Sequence, residues 1–244
     1  NKDVLVVCAD KMISTATGQF EHEQSKIKLF DEHFALMLSG NPLLFDEIIN
    51  SPEINIQESI QITSNKLFQI LIGTRFKQLE NWLVSRYGIH IQDVITNLNT
   101  EIKNQYYEDI MKTFISHSIG TELLFCGFEG NKARVYMITE QENNEFSRIG
   151  FHSIGGGWQQ SQSTLLFQGQ NSKVDLKTTI YNVFKAKKNS QIIAGIGEET
   201  ELHIIYPDKP TKKLSNEDLK ILKDIYDEEA KLGKNHTKLS QIKI

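Results

Sequence analysis

Residues 54–114 carry a 3.6-residue apolar period and separate two blocks of strand-like sequence. Grouping of this kind favours layers of antiparallel sheet covered by helices over alternating strand–helix–strand units. In the first block, residues 4–9 (VLVVCA) form a continuous β-branched run. Residues 26–30 (KIKLF) and 33–39 (HFALMLS) are separated only by Asp31 and Glu32, which predicts a tight hairpin. The stretch between, rich in Ser, Thr and Gly, carries no apolar pattern. Pro42 suits the first position of a helix, where its missing N–H is not needed. Ile91, Val94, Ile95, Leu98, Ile102, Tyr106, Ile110 and Phe114 recur at intervals of three and four, which predicts one long amphipathic helix packed on helical segments around residues 60–83.

Strands resume at residues 121–128 (TELLFCGF) and 132–139 (KARVYMIT) around a Glu129-Gly130-Asn131 turn, and a third apolar run covers 146–154. Helices are predicted over 158–167 and 174–187, then a strand over 200–206. A charged helix follows from Ser215, whose spacing to Asp218 is that of a capping box. There is no internal repeat and no low-complexity linker, so one domain spanning residues 1–244 is the expectation. A chain of 244 residues can bury a full core without disulfides. Cys8 and Cys126 sit inside apolar runs and read as structural thiols, which suits a reducing, cytoplasmic setting. The net charge of −4 argues against a nucleic-acid partner, and no apolar run is long enough to span a membrane. The seven His residues are scattered without metal-ligand spacing, so neither a metal nor a cofactor is expected.

Three positions stand out as carriers of chemistry. Asp10 ends an apolar strand, where an ionised carboxylate needs a partner. Lys26 opens the next hairpin, and Gly40 lies in a strand-to-helix turn, Ser39-Gly40-Asn41. Each alone has a structural explanation: a strand-end cap, an edge-strand lysine, a turn glycine. Their spacing adds something, because Lys26 follows Asp10 by sixteen residues and Gly40 follows Lys26 by fourteen.

Those intervals, with the Ala-Asp context of Asp10 and the Ser153-Ile154-Gly155-Gly156-Gly157 segment before a helix, resemble the catalytic β-subunits of the proteasome and their bacterial relatives, members of the N-terminal-nucleophile hydrolases. The resemblance implies an α+β fold, a four-layer αββα sandwich with extended central helices, and threonine-type peptide hydrolysis. In that chemistry the α-amino group of an N-terminal nucleophile serves as its own general base, its pKa of about 7.7–8.0 leaving a usable neutral fraction. The implied roles are Lys26 lowering the hydroxyl pKa, Asp10 orienting Lys26, the Gly40 N–H stabilising the oxyanion, Gly156 standing at the position of the serine that helps arrange the terminal amine, and Leu38 lining the substrate pocket. The register places the nucleophile seven positions before Asn1.

The chain departs from the family at Met12, where an Arg is usual, and at Gly156, Ile193 and Ile196, which fall where a supporting Ser, Asp and Ser belong. Coordinated loss of that group is expected to leave its space filled by apolar side chains. A non-hydrolytic scaffold of the same fold, or a hydrolase of small amides, therefore stands beside the peptidase reading. The family also implies a peptide or protein substrate, self-association into a ring or dimer, and an unfolding ATPase or other gatekeeper as partner.

Overall fold

Asp31 and Glu32 both adopt positive φ, 46° and 59°, and His33 N–H closes the turn onto the Phe30 carbonyl at 3.3 Å. This left-handed pair joins β4 (Ile27–Phe30) to β5 (Phe34–Ser39) and sets their register, Ile27 opposite Met37. The structure, a computed structural model, describes residues 4–15, 18–22, 25–52, 54, 59–97 and 105–233. β5 continues the sheet to β6 (Glu122–Glu129), β7 (Lys132–Ile138) and β8 (Asn143–Glu145), giving the antiparallel order β4-β5-β6-β7-β8. A second sheet orders β1 (Leu5–Ala9), β9 (Glu201–Ile205) and β10 (Lys212–Lys213), all antiparallel.

Both faces of the larger sheet are buried, which is why its central strands read as unbroken apolar runs. Ala35, Met37, Leu124 and Cys126 point at Val7 and Ile205 of the second sheet. Leu36, Leu38, Leu123 and Phe125 point instead at helices α1 (Pro42–Ile49) and α2 (Ile60–Tyr87), against Phe45, Ile48 and Leu71. The far face of the second sheet packs Leu202 and Ile204 against Phe184 of α6 (Leu176–Ser190) and Leu219 and Leu222 of α7 (Asn216–Gly233). α5 (Trp158–Phe167) lies against α6. The layers therefore run helix, sheet, sheet, helix, the expected αββα sandwich.

Local chemistry fixes the helix ends. Asn41 caps α1 through its side chain onto Leu43 N–H (3.0 Å) with Pro42 at the first position. Ser215 accepts Asp218 N–H (3.1 Å), and Gly88, at φ 67°, ends α2. Arg75 donates from α2 to the Phe114 and His117 carbonyls (2.6 and 3.0 Å), satisfying the C-terminal end of α4 (Gln105–Ser116).

Two sequence expectations change, and a third falls partly outside the described residues. The segment over 146–154 is not a strand: Gly150 at φ 87° breaks it, and Phe146 and Ile154 reach the inter-sheet core one by one. A hairpin of β2 (Met12–Thr15) and β3 (Gly18–Glu21) occupies the stretch that carries no apolar pattern. The 28-residue helix is α2, whereas α3 (Ile91–Asn97) and α4 are described separately and Leu98 and Ile102 of the predicted long helix lie outside the described residues. No helix among the described residues is long and apolar enough to cross a membrane.

One buried charge lies between the sheets. Glu201, 4% exposed, accepts hydrogen bonds from His203 (2.8 Å) and Lys213 (2.7 Å). Burial alone would raise its pKa, but hydrogen bonds from His203, Lys213 and Ser25 outweigh it and hold the carboxyl at about 2. A folded pKa below the unfolded one stabilises at neutral pH and fades as pH falls from about 4.5 towards 2. The contribution at pH 7 is about 3 kcal/mol. Glu201→Gln is thus expected to lower Tm by several degrees at pH 7, with the deficit shrinking to roughly half by pH 3. A deficit that stays constant across that range would contradict the assignment.

Candidate active site

Asp10 leaves the end of β1 with its carboxylate turned inward: Oδ1 accepts Met12 N–H at 2.9 Å and the Lys26 ammonium in an ion pair. The Asp10 side chain is 10% exposed and that of Lys26 30%, so the pair is largely shielded from water. Ser25 fixes the backbone ahead of β4 by accepting Ile27 N–H (3.0 Å) and donating to its carbonyl (2.9 Å), which sets the root from which Lys26 reaches Asp10.

Gly40, immediately after β5, has φ 108°, and a Cβ there would lie 2.0 Å from the Gly120 carbonyl oxygen. Backbone meets backbone, so only glycine fits. The turn opposite is itself anchored: Glu140, buried, accepts Ser118 Oγ–H and Ile119 N–H (3.2 Å). Glu122, paired with Ser39 across the sheet, accepts Gly155 N–H at 2.7 Å and so ties the glycine segment beside Gly40.

The three glycines differ in what they permit. A Cβ on Gly155 would meet Ser39 Oγ at 2.7 Å, and one on Gly157 would meet Ser190 Cβ at 2.7 Å. Nothing lies within 4 Å of a Cβ on Gly156, so the space expected to be refilled by apolar side chains is open there. Ile196 does supply apolar filling, its Cδ1 3.4 Å from the Gly157 Cβ position.

Asp10, Lys26, Leu38, Gly40 and Gly156 all border one cavity of about 1230 Å³. Leu38 is at the same time a core residue beneath α1 and α2. Residues 4–9 line the cavity without alternation, as happens when space lies along a strand's edge and not over one face. β1 is the end strand of its sheet, and among the described residues it pairs only with β9. Unpaired strand edges present a row of N–H and C=O groups suited to a further strand.

Two groups in this cavity escaped the sequence. His152, tilted 31° against Phe146 with ring centroids 3.8 Å apart, has its pKa lowered by burial. Lys187 of α6 is 7% exposed, and burial pushes its ammonium down to about 8. Neither could be read in advance, because strand and helix packing alone decide which polar residues turn inward. Cys8 and Cys126 are pushed up to about 12 by burial, so neither offers a thiolate at neutral pH. No group of three or more His, Cys, Asp or Glu side chains able to hold a metal occurs among the described residues.

No family model matches the chain, and no curated protein matches it. Solved structures do. One is Anbu from Hyphomicrobium sp. strain MC1, described as a (Gly-1) mutant, which is 12% identical with a TM-score of 0.61 over 98% of this chain and 93% of that one. A likeness at that identity shows the fold alone: the chain shares the helix–sheet–sheet–helix sandwich of that structure.

Proposed function

We propose that this chain hydrolyses peptide bonds through an N-terminal nucleophile carried on a segment upstream of Asn1 and added as a strand to the edge of β1. The convergence of the Asp10–Lys26 pair and Gly40 on a cavity that runs along that edge carries the reading. The nucleophile's hydroxyl attacks the scissile carbonyl carbon while its own α-amine takes the proton. Lys26 stabilises the developing oxygen charge, with Asp10 holding it in place, and the Gly40 N–H is the oxyanion donor, a contribution commonly of about 10² to 10³ in rate. The amine returns the proton to the leaving nitrogen, the C–N bond breaks, and water then releases the acyl group by the reverse roles. Self-association that encloses such a site, with an ATPase or other gatekeeper feeding it, belongs to the same proposal.

The apolar residues at Ile193 and Ile196, with Gly156, favour a second reading in which the fold serves as a non-hydrolytic scaffold. A third outcome, turnover of small amides only, separates from both in the same assay. The test is expression of the full-length gene product, determination of its mature N-terminus by intact mass, and assay with fluorogenic peptides and small amides. A Thr, Ser or Cys seven positions before Asn1 at the mature terminus, with peptide turnover, is the expected result. Any other terminal residue would sink hydrolysis by this mechanism, and light-scattering mass of an assembly without turnover would favour the scaffold.

A further inference from the structure

Lys187 is a buried cation in the wall of the candidate site, and its setting is built from two sides. Its ammonium donates to the carbonyls of Gly197 (2.8 Å) and Glu198 (2.9 Å). Gln191, the C-cap residue of α6, donates to the same two carbonyls at 2.7 and 3.1 Å. From the opposite side, Glu21 of β3 accepts Glu199 N–H at 3.1 Å, and Lys11 pairs with the Glu199 carboxylate at 3.0 Å. Gly197 is held so tightly that a Cβ would lie 2.5 Å from Glu21 Oε1 and 2.9 Å from Met12 Cβ. The segment is gripped between α6 and the β2–β3 hairpin, and Ala194, Gly195 and Ile196 just before it border the cavity.

Stability alone is a poor reason for this arrangement. Lys187 makes no carboxylate ion pair among the described residues, and keeping a charge buried without one is costly. A buried lysine with a displaced pKa facing a cleft is instead a mark of functional sites. The two carbonyls it binds belong to the stretch that carries Ile196, one of the positions where the supporting polar group of the family is absent.

We propose that Lys187 is a positioning residue of the candidate site: with Gln191 it fixes the Gly195–Glu198 wall against the cavity that holds Asp10, Lys26 and Gly40. The role rests on the hydrolase reading. It follows from the sensitivity of such chemistry to placement, since a displacement of about 1 Å can cost on the order of 10²-fold in rate.

The experiment uses Lys187→Met and Gln191→Leu in the full-length protein, with three readouts. Hydrogen exchange of the peptide covering residues 197–200 is expected to speed up at least tenfold in Lys187→Met and by a smaller factor in Gln191→Leu. Gln191 still donates to both carbonyls in Lys187→Met, so its Tm is expected to hold or rise as the buried charge is removed, while kcat for a fluorogenic peptide falls roughly 10- to 100-fold with KM little changed. Gln191→Leu decides the question where Lys187→Met does not fold. Exchange unaltered in the folded variants overturns the clamp, and faster exchange with unchanged kcat overturns the positioning role. A wild-type chain that turns nothing over sinks the hydrolase reading and the catalytic consequence together, and the exchange rates then decide the clamp by themselves.

Discussion

Gly40→Ala is expected to lower Tm by roughly 10 °C, while Gly156→Ala leaves it within a degree or two. The contrast isolates backbone geometry from the mere addition of a methyl group. At Gly40 the new Cβ would stand 2.0 Å from the Gly120 oxygen and 2.9 Å from Thr121 Cα, both backbone atoms that cannot swing away as a side-chain tip could. The residue would also keep φ near 108°, a conformation that costs an L-residue about 1–3 kcal/mol. Relief of the clash must move the end of β5 or the turn before β6, adding about 1–3 kcal/mol of overpacking. Gly156 has neither a positive φ nor a neighbour within 4 Å. Paired thermal melts measure the difference, and equal melting temperatures would mean that the Gly40–Gly120 approach is not the constraint described. In an active preparation, Gly40→Ala should also abolish turnover, because displacing this turn moves the proposed oxyanion donor.

The sequence made such sites legible where a single local rule decides the structure. Asp31-Glu32 between two apolar runs could only be a turn, and the hairpin closes there. Pro42 and Ser215 marked helix starts because the first brings no N–H to be orphaned there and the second accepts one, whatever the tertiary context. Asp10 and Lys26 are separated by the β2–β3 hairpin and Lys26 and Gly40 by the β4–β5 hairpin, and each hairpin returns the chain to the border of the same cavity. Legibility failed where burial is settled by a distant partner. β2 and β3 are short and polar, so no apolar alternation announces them. In α2 the buried set includes Thr63 and Ser64 as well as leucines, which blurs the 3.6-residue signal that the segment over 91–114 shows more clearly.

Lys187 is the sharpest case of the same failure. It stands in the run Lys185-Ala186-Lys187-Lys188, which reads as a solvated helix face. Lys185 pairs with Glu229 of α7, yet Lys187, two positions on, turns inward beside Cys8. Only the docking of α6 on β1 distinguishes them, and that docking is not written in the spacing of charges.

Lys26→Ala is expected to reduce peptide turnover by about 10²- to 10⁴-fold, and its value as a test lies in what else it changes. The substitution leaves Asp10 with the Met12 N–H and without its ion-pair partner, in a place where its side chain is only 10% exposed. Breaking a fully buried pair costs about 3–5 kcal/mol, but Lys26 keeps 30% of its exposure, so a loss of about 2 kcal/mol is the expectation. Stability and activity would then fall together, and loss of fold would mimic loss of chemistry. Lys26→Arg separates them. It retains the positive charge opposite Asp10 and so should restore most of the stability, yet its planar fork cannot place a compact ammonium beside the proposed nucleophile. A variant with near wild-type Tm and turnover still down at least about tenfold identifies Lys26 as chemistry, not scaffold. Lys26→Arg with full activity, or Lys26→Ala with turnover intact, would reduce the Asp10–Lys26 pair to a structural ion pair. The proteasome-like sandwich would then be read as an assembly module, since the geometry that distinguishes it from one passes through this lysine.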